Sequence, residues 1–515
     1  MRVAIHWFRR DLRLSDNVAL SAAVAAADVV VPVFVLDPHL LEAPDVGAPR
    51  VAFLLAALRA LARDLETAGA PLVVRRGPPE SEIVALARAV GAESIFANRD
   101  YGPYASARDA RVRAAAERYG IACHDRKDHV LVEPSECTKD DGTPYSVFTP
   151  FARRWRAFEK RPPLPRPRLA PLPRELVERA RPAPVPTSAG AIPPGLGATL
   201  ADASEAGASA RLDRFVESDL LAYRSRRDLP ALDGTSRLSP HLKFGTLSAR
   251  TAFARAADAI GADLAWLDPA KPPAGLSAPR ARRLREGGVF LNELCWRDFY
   301  QAILAHFPHV VRAPFRREFA RFTWPPGDER LVAAWRDGRT GFPIVDAGMR
   351  QLAETGWMHN RLRMIVATFL TKTLLVDYRI GERIFMERLV DGDVAANNGG
   401  WQWCASTGSD AVPYFRIFNP LAQSRRWDAD GAFVRRWVPE LRDFPDPLVH
   451  EPDRDPERRR AAGYPEPCVD LAFARARALE VLGGIAHGRS RGTGQRRSAR
   501  TGSRSARGAA IPDPA

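Results

Sequence analysis

The first 130 residues alternate short apolar runs with longer amphipathic stretches. The apolar runs are VAIHWF, DVVVPVFVLD, PLVVRRG, SIFANRD and a weaker ACHDRKDHVLV. Several are apolar at every position, which is typical of strands buried on both faces of a parallel sheet. The stretches between them predict helices over residues 17–27, 51–68, 80–90 and 108–119, and a glycine follows each of the last three. This alternation predicts an α/β domain, a parallel sheet with helices on both faces.

The pattern changes after a proline-rich stretch. Nine of the 25 residues from Pro162 to Pro186 are proline, so we expect this segment to lack regular structure and to cross the surface as a connector. Beyond about Ala208, apolar residues recur at the helical period over 330–336, 345–354, 360–378 and 381–390. The second half is therefore predicted to be an all-α domain that packs independently.

The predicted organisation has four parts: an α/β domain over 1–133, a proline-rich linker over 134–207, a helical domain over 208–484 and a tail over 485–515. The tail has seven arginines, one aspartate and almost no large apolar residue. Such a segment cannot bury enough surface to fold, and we expect a disordered basic tail.

Charge narrows the class of partner. Lys and Arg total 76 against 61 Asp and Glu, a net charge of +15 over 515 residues, which points to a polyanionic partner. The alternative is that the arginine excess reflects coding bias alone.

The five cysteines form no CxxC pair, so neither a disulfide framework nor a metal site is expected. The charged N-terminus and the lack of a long apolar run predict a cytoplasmic protein without a membrane segment.

Nucleotide-binding signatures are largely missing. No G-x-G-x-x-G follows the first predicted strand, and no GxxxxGK[ST] occurs anywhere, which makes a nicotinamide or P-loop enzyme a weak interpretation. The informative region is instead 356–419, with GWMHNRLRM, DGDVAANNGGWQWCASTG and PYFRIFNP. Its tryptophans stand among Asn, Asp and Gly, as in the wall of a site for a flat heteroaromatic ligand. Alternatively, the aromatics belong to the core and the charges form a structural ion-pair network.

Two further segments carry candidate chemistry. GTSRLSPHLKFGTLS offers Thr235, Ser236 and Ser239 to a pyrophosphate at a helix start, although a plain N-cap would use the same residues. ELCWRDFY places Glu293 and Trp296 three residues apart on one helix face. A desolvated carboxyl beside an indole gains proton affinity and can donate a hydrogen bond; helix packing is the alternative.

These motifs, in this order, resemble those of the photolyase/cryptochrome flavoproteins, and most closely the bacterial class I cyclobutane pyrimidine dimer photolyases. HWFRRDLRLSDN and GTPYSVFTPF belong to the same series, and the resemblance covers about residues 1–480. It implies an N-terminal antenna domain, a long linker and a helical domain that binds FAD non-covalently.

The resemblance implies positions for FAD. Those that would hold its phosphates and ribityl chain are Tyr223, Thr235, Ser236, Leu238 and Ser239. Arg363 and Asp391 match an ion pair against the isoalloxazine ring, and Asp393 matches a flavin-contacting carboxylate. Asn397 matches the residue that faces flavin N5, where an amide favours a reduced, electron-donating flavin.

The resemblance also implies a DNA lesion as substrate. Trp296 and Trp403 match two indoles that wedge a thymine dimer, and Asn360 and Met364 match its polar and sulfur contacts. Glu293 matches the acid that hydrogen-bonds the dimer carbonyl, and Arg227 matches an arginine that contacts a phosphate. Apolar surroundings are expected to keep Glu293 protonated. Enzymes for (6-4) lesions typically carry histidines at the positions of Asn360 and Met364, so the cyclobutane dimer is favoured.

The implied function is a carbon–carbon lyase reaction: light-dependent repair of dimers in single- or double-stranded DNA by electron transfer from excited, reduced FAD to a flipped-out dimer. We expect a monomer. The alternative is a cryptochrome-like protein that signals in blue light.

Two parts of the pattern depart from the family. In the usual chain of three tryptophans that reduces the flavin, Trp401 and Trp324 fit the ends, but Tyr378 takes the middle place. Since tyrosine is harder to oxidise unless its proton also leaves, photoreduction is expected to be slowed or rerouted, unless another aromatic residue bridges the gap.

The antenna pigment is the second departure. Tyr104 and Ala105 stand where folate-binding members have an Asn-Glu pair, whereas Arg50, Asp100 and Lys243 look like those of deazaflavin-binding members. This favours 8-hydroxy-5-deazaflavin over methenyltetrahydrofolate. An empty or flavin-filled site is a further alternative, and Asp100 and Lys243 would then be only an interdomain ion pair.

Overall fold

The computed structural model describes residues 1–187, 190–262, 275–325 and 327–487. The predicted tail from residue 488 onward lies outside the described residues. Within these ranges, each helix is too short or too polar to span a bilayer.

The N-terminal domain is built on a parallel sheet. Its strands are β1 (Val3–Phe8), β2 (Val29–Leu36), β3 (Val73–Arg76), β4 (Ser94–Asn98) and β5 (Ala122–Arg126), in the order β3-β2-β1-β4-β5. All four pairings are parallel, and every residue of β1 and β2 is buried. The predicted sheet is therefore confirmed, including its weak fifth strand.

Helices cover both faces of this sheet. They are α1 (Val18–Ala26), α2 (Pro38–Leu41), α3 (Ala48–Thr67), α4 (Pro79–Val90) and α5 (Pro103–Glu117). Ala4 and Phe8 of β1 pack with residues of α1 and α3, whereas Ile5 and Trp7 pack with residues of α4 and α5. Because successive side chains of a strand point to opposite faces, one apolar run serves two cores.

The segment between the domains is more regular than its prolines predict. It contains α6 (Phe148–Ala157), α7 (Arg174–Ala180) and α8 (Gly197–Ala201). The expectation that 162–186 lacks regular structure is wrong for α7, where prolines stand before the helix and after it rather than inside it. Helix α6 also buries Phe151 and Trp155 in the core of the helical domain.

The second half is helical, as predicted. Its helices are α9 (Glu205–Ser218), α10 (Tyr223–Arg226), α11 (Ser239–Phe244), α12 (Ala249–Ile260), α13 (Ala278–His306), α14 (Glu329–Arg336), α15 (Pro343–Thr355), α16 (Asn360–Thr368), α17 (Tyr378–Arg388), α18 (Val394–Cys404), α19 (Pro420–Trp427), α20 (Ala432–Trp437), α21 (Asp446–His450), α22 (Pro456–Ala461) and α23 (Leu471–His487). The predicted helix over 360–378 is broken by a π-helical turn, Phe369–Thr373, and α17 starts anew at Tyr378. Helix α23 also extends past residue 485, where the tail was expected to begin.

The two domains meet at a buried ionic contact. Asp128, beyond β5, contacts Arg13 and Arg250 at 2.7 Å each, and Arg250 also contacts Asp16 at 3.0 Å. Beside it, the Leu12 N–H donates to the Phe244 carbonyl at 3.1 Å. The loop after β1 thus lies directly against α11 and α12.

This close approach predicts an unusual requirement for glycine at position 245. Gly245 has φ +71°, and a Cβ there would overlap the Arg10 carbonyl oxygen. Gly261 ends α12 with a similar φ of +63° but has nothing within 4 Å. Gly261→Ala should therefore lower the free energy of unfolding by the left-handed penalty of about 1–2 kcal/mol. Gly245→Ala should lower it by about 2 kcal/mol more, since the backbones must also separate.

Urea denaturation of the two variants beside the parent checks this. Equal losses of stability would show that the domains are not in backbone contact at Gly245.

Candidate functional site

Helix α16 carries three of the predicted site residues: Asn360, Arg363 and Met364. Asn360 is its first residue and is exposed, and Met364 lies one turn further on, half-buried. His359 caps the helix, and its Nδ1 accepts the Arg361 N–H at 3.2 Å. Asn360 and Met364 therefore share one face of a well-capped helix.

Two arginines of α16 are fixed by carboxylates from other elements. Arg363 Nη2 lies 2.8 Å from Asp391 Oδ2, so these two predicted residues form an ion pair, and Arg363 Nε donates to the Met358 carbonyl at 2.9 Å. Arg361, which was not predicted as a site residue, donates to Asp228 Oδ1 from Nε and Nη2 at 3.1 and 2.9 Å. Both side chains are thus held before any ligand binds.

Three features of Asp391 and helix α18 fit a flavin. Asp391 Oδ1 is buried and has no hydrogen-bond partner among the described residues. On α18, a Cβ at Gly400 would meet nothing within 4 Å. Asn397, one turn before Gly400, donates from its amide nitrogen to the Glu382 carbonyl at 2.9 Å, which orients the amide. An unmet acceptor beside an arginine, open space and a fixed amide suit a flat, polar ring system.

Glu382 is a residue that sequence reasoning missed. Its side chain accepts a hydrogen bond from Asn398 at 3.0 Å, and burial raises its pKa to about 7. Its position on α17, facing α18, is a tertiary contact, and no motif in the sequence indicates it.

The predicted phosphate-binding residues lie at α10 and before α11. Tyr223, the first residue of α10, is buried. Thr235 and Ser236 are half-buried, and Ser239 is the exposed first residue of α11. The N-cap of α11 is Leu238, and no side chain caps the helix. The hydroxyls are therefore not used as a plain N-cap.

A cavity of about 250 Å³ opens between α16, the end of α18 and α19. It includes two predicted substrate contacts, Met364 and Trp403. Its lining combines indoles with arginines: Arg224, Ser225, Asp228, Arg361, Met364, Trp403, Arg416, Phe418, Gln423, Arg426 and Trp427. Aromatic faces inside a basic rim suit a nucleobase flanked by phosphates. Arg416 and Phe418 belong to the PYFRIFNP motif, which could have indicated them.

Trp296 and Glu293 lie on α13 and do not line this cavity. The Trp296 ring stacks on Phe148, with centroids 3.5 Å apart and planes at 5°. Phe148, the first residue of α6, was also missed, although GTPYSVFTPF contains it. One face of the Trp296 indole is thus covered by the protein.

The surroundings of Glu293 differ from the expectation. Its side chain is 32% exposed, and its Oε1 lies 2.6 Å from Arg227 Nη1. Burial lowers the pKa of Arg227, but attraction from Glu293 outweighs it and holds that pKa above its usual range. The expectation of apolar surroundings for Glu293 is wrong, because its carboxyl group is partly exposed and a guanidinium faces it.

The three residues of the predicted electron relay are all buried. Trp324 and Tyr378 are in ring contact, with centroids 6.4 Å apart. Trp401 contacts the rings of Phe385 at 5.0 Å and Trp335 at 6.1 Å. Trp335 was not considered from the sequence. It is fully buried, and its Nε1 donates to the Val366 carbonyl at 3.0 Å.

The predicted antenna residues converge on one ionic cluster between the domains. Arg10, just beyond β1, contacts Asp100 at 3.4 Å and Asp393 at 2.5 Å, and Lys243 lies 3.6 Å from Asp393. Arg50 joins the cluster through the Gly392 carbonyl at 3.5 Å. Burial, and secondly repulsion from Arg10, lowers the pKa of Lys243 to about 8. Asp100 and Lys243 are linked through Arg10 and Asp393.

Asp393, predicted to contact the flavin, is engaged by the protein through both oxygens. Oδ1 accepts two backbone N–H groups at the start of α18 and the Gln301 amide at 3.2 Å. Oδ2 faces Arg10 and Lys243. Burial raises the pKa of Asp393, but these cations outweigh it and hold the pKa well below its usual range.

Two family models match the chain. One, described as the FAD binding domain of DNA photolyase, matches residues 290–483. The other, described as DNA photolyase, matches residues 4–168.

Known proteins match over nearly the whole length. A deoxyribodipyrimidine photo-lyase from Synechococcus is 42% identical over 90% of this chain and 93% of its own. A solved bacterial class III photolyase from Agrobacterium tumefaciens has a TM-score of 0.81 and 36% identity, over 94% of this chain and 98% of its own. An archaeal photolyase from Sulfolobus tokodaii, solved with two FAD molecules, has a TM-score of 0.75 and 32% identity, over 94% of this chain and all of its own.

Proposed function

The chain belongs to the DNA photolyase family, and from this premise we propose that it repairs cyclobutane pyrimidine dimers in DNA by a light-dependent lyase reaction. The observation that carries the proposal is the cavity in which Trp403 and Met364 stand among arginines, beside the helix that bears the Arg363–Asp391 pair. When bound, reduced FAD supplies the light-driven electron that splits the dimer. The class I likeness remains a prediction, since a class III structure also matches.

The chain binds FAD through its helical domain. In this proposal Tyr223, Thr235, Ser236, Leu238 and Ser239 hold its phosphates and ribityl chain. The Arg363–Asp391 pair and the Asn397 amide bind the polar edge of the ring, which the unmet Asp391 oxygen and the oriented Asn397 support. Asp393 affects the flavin site only indirectly in this proposal, because its side chain caps the start of α18.

The dimer is bound outside the duplex. Unpairing it costs a few kcal/mol, and stacking on the indoles of Trp296 and Trp403 returns roughly 1–3 kcal/mol per base. Met364 and Asn360 contact the dimer from α16. Because Phe148 covers one face of Trp296, the other face and the edge are the parts that serve the lesion.

In this proposal, Arg227 and Glu293 change partners when DNA binds. Without DNA, the Arg227 guanidinium pairs with the Glu293 carboxylate. A DNA phosphate competes for Arg227, and the dimer covers Glu293 from solvent. In its protonated form, Glu293 then donates a hydrogen bond to the dimer carbonyl, where negative charge develops.

The DNA partner can be single- or double-stranded, because the lesion is read outside the helix, and one chain holds the whole site. We therefore propose a monomer. The net charge of +15 favours DNA phosphates generally, so lesion preference depends on the cavity.

For the antenna we propose 8-hydroxy-5-deazaflavin rather than methenyltetrahydrofolate. Arg50, Asp100 and Lys243 cluster near the carboxyl end of β1, where parallel sheets bind ligands. At the position of the folate-type pair, Tyr104 instead bonds Asp37 and stacks on His39 at 4.4 Å. A band between the flavin maxima in the protein's absorbance spectrum would support deazaflavin, and its absence would contradict this choice.

Repair is tested with UV-damaged oligo(dT) and the reduced holoprotein under blue light. Thymine absorbance should recover, whereas a signalling protein would leave the damage in place. Trp296→Ala should weaken binding of the damaged oligonucleotide about 5- to 150-fold, because it removes one stacking face. Fluorescence anisotropy measures this, with undamaged oligonucleotide as the control. Equal weakening for both oligonucleotides would contradict a stacking role for Trp296.

Glu293→Gln keeps hydrogen-bonding groups but cannot switch between carboxylate and acid. We expect the repair yield at saturating DNA to fall about 10-fold, while affinity for damaged DNA changes less than about 3-fold. An unchanged yield would mean that Glu293 does not stabilise charge on the dimer.

Tyr378→Trp should speed flavin photoreduction in the isolated protein, because an indole is oxidised more easily than a phenol that keeps its proton. Burial raises the pKa of Tyr378 above its usual value, so its phenol keeps its proton more strongly. Repair with chemically reduced flavin should stay unchanged. Time-resolved absorbance checks the rate, with Tyr378→Phe and Trp335→Phe as controls. If both changes at 378 leave the rate unchanged while Trp335→Phe slows it, Trp335 is the relay and the assignment of Tyr378 is wrong.

A further inference from the structure

A buried lysine lies next to the proposed lesion site without taking part in it. Lys372 belongs to the π-helical turn Phe369–Thr373 and is 0% exposed. Its Nζ donates to the backbone carbonyls of Arg416 at 3.0 Å and Pro413 at 3.3 Å. Residues 413–418, here named the pocket lip, include Arg416 and Phe418, which line the cavity. One cation thus joins the lip to the turn behind it.

The turn follows directly from the helix that carries the lesion contacts. Helix α16, with Asn360 and Met364, ends at Thr368, and the π-helical turn begins at the next residue. Short π-helical turns are rare and often occur at functional sites. Whatever fixes Lys372 to the lip therefore also fixes the lip relative to α16.

The π-helical turn is also stabilised by hydrogen bonds from helix α23. Arg477 of α23 donates to the carbonyls of Thr373 and Leu374 at 3.4 and 3.1 Å. Leu375, the next residue, has φ +54°, which a leucine adopts only when its surroundings require it. The turn is therefore a fixed point of the fold, and a lip attached to it is fixed as well.

The chemistry of Lys372 shows why a cation stands there. Burial lowers its pKa to about 8, and the titratable groups that act on it among the described residues are Cys404 and Arg416. Neither is a carboxylate, so its charge is met by carbonyl oxygens. A methionine would fill similar space without the penalty of a buried charge. Unlike methionine, the lysine makes charge-assisted hydrogen bonds to two backbone carbonyls of the pocket lip, a segment that lacks regular structure.

We propose that Lys372 is a positioning residue for lesion binding: its ammonium group fixes the pocket lip against α16, so that Arg416 and Phe418 stand at the cavity before DNA arrives. This inference rests on the proposed function, since it concerns the same site. Without these Lys372 hydrogen bonds, the pocket lip must become ordered when DNA binds. The free energy that this ordering costs lowers the affinity for the lesion.

The chain offers a matched control in Lys160. This lysine is also buried, at 3% exposure, and donates to two backbone carbonyls, those of Trp155 and Phe158. Burial lowers its pKa to about 8 as well. It follows α6 and lines no part of the cavity. Lys160→Met thus removes the same kind of anchor elsewhere in the molecule.

The test compares Lys372→Met and Lys160→Met as full-length, FAD-loaded proteins. Fluorescence anisotropy gives Kd for an oligonucleotide with one thymine dimer and for its undamaged twin. Lys372→Met should raise Kd for the dimer about 10-fold, and Kd for undamaged DNA less than about 3-fold. Repair yield at saturating DNA should not change. Lys160→Met should leave both Kd values within about 2-fold of the parent.

The proposal is overturned if Lys372→Met binds the dimer like the parent, or if Lys160→Met raises Kd for it as much. If Lys372→Met does not fold, Lys372→Gln against Lys160→Gln makes the same comparison. Hydrogen exchange of 413–418 then serves as a second readout and should quicken only in Lys372→Gln. Failure of the proposed function is distinguishable, because the parent itself would then show no preference for the dimer and no repair.

Discussion

One buried carboxylate, that of Asp393, joins the sheet domain to the helix on which the site is built. One of its oxygens caps α18, and the other meets Arg10, just beyond β1, and Lys243 of α11. The surrounding cations keep this carboxylate ionised despite its burial. The position of Asn397 on α18 therefore depends on where the central strand of the sheet ends, and neither domain can shift without breaking this contact.

The same principle governs the rest of the site. The chain has a surplus of 15 positive charges, yet key arginines near the cavity are held by carboxylates: Arg361 by Asp228, Arg227 by Glu293, and Arg363 by Asp391. These pairs orient the guanidinium groups in advance, so that a ligand need not order long side chains when it binds. The site is thus preorganised.

Some predictions succeeded because their cause is local. The apolar runs of β1 and β2 are long enough to fix the sheet, and Gly91 ends α4 in the left-handed conformation that glycine favours. Others failed because composition is only an average. Prolines at the ends of α7 do not interrupt it. The helix predicted over 360–378 is interrupted by a π-helical turn. Every residue from 365 to 376 is buried, so the pattern of apolar positions does not mark the change.

The sequence by itself determined the fold class, the family likeness and the residue types available for the site, because these follow from periodicity and motifs. The Arg363–Asp391 pair was implied by the resemblance alone. Only the tertiary structure decided which groups meet across long separations. It put Arg227 on Glu293, Phe148 on Trp296 and Lys372 on the pocket lip. Electrostatic and stacking energies depend on distances of a few ångströms between atoms, and residues far apart in the sequence reach such distances only once the chain has packed.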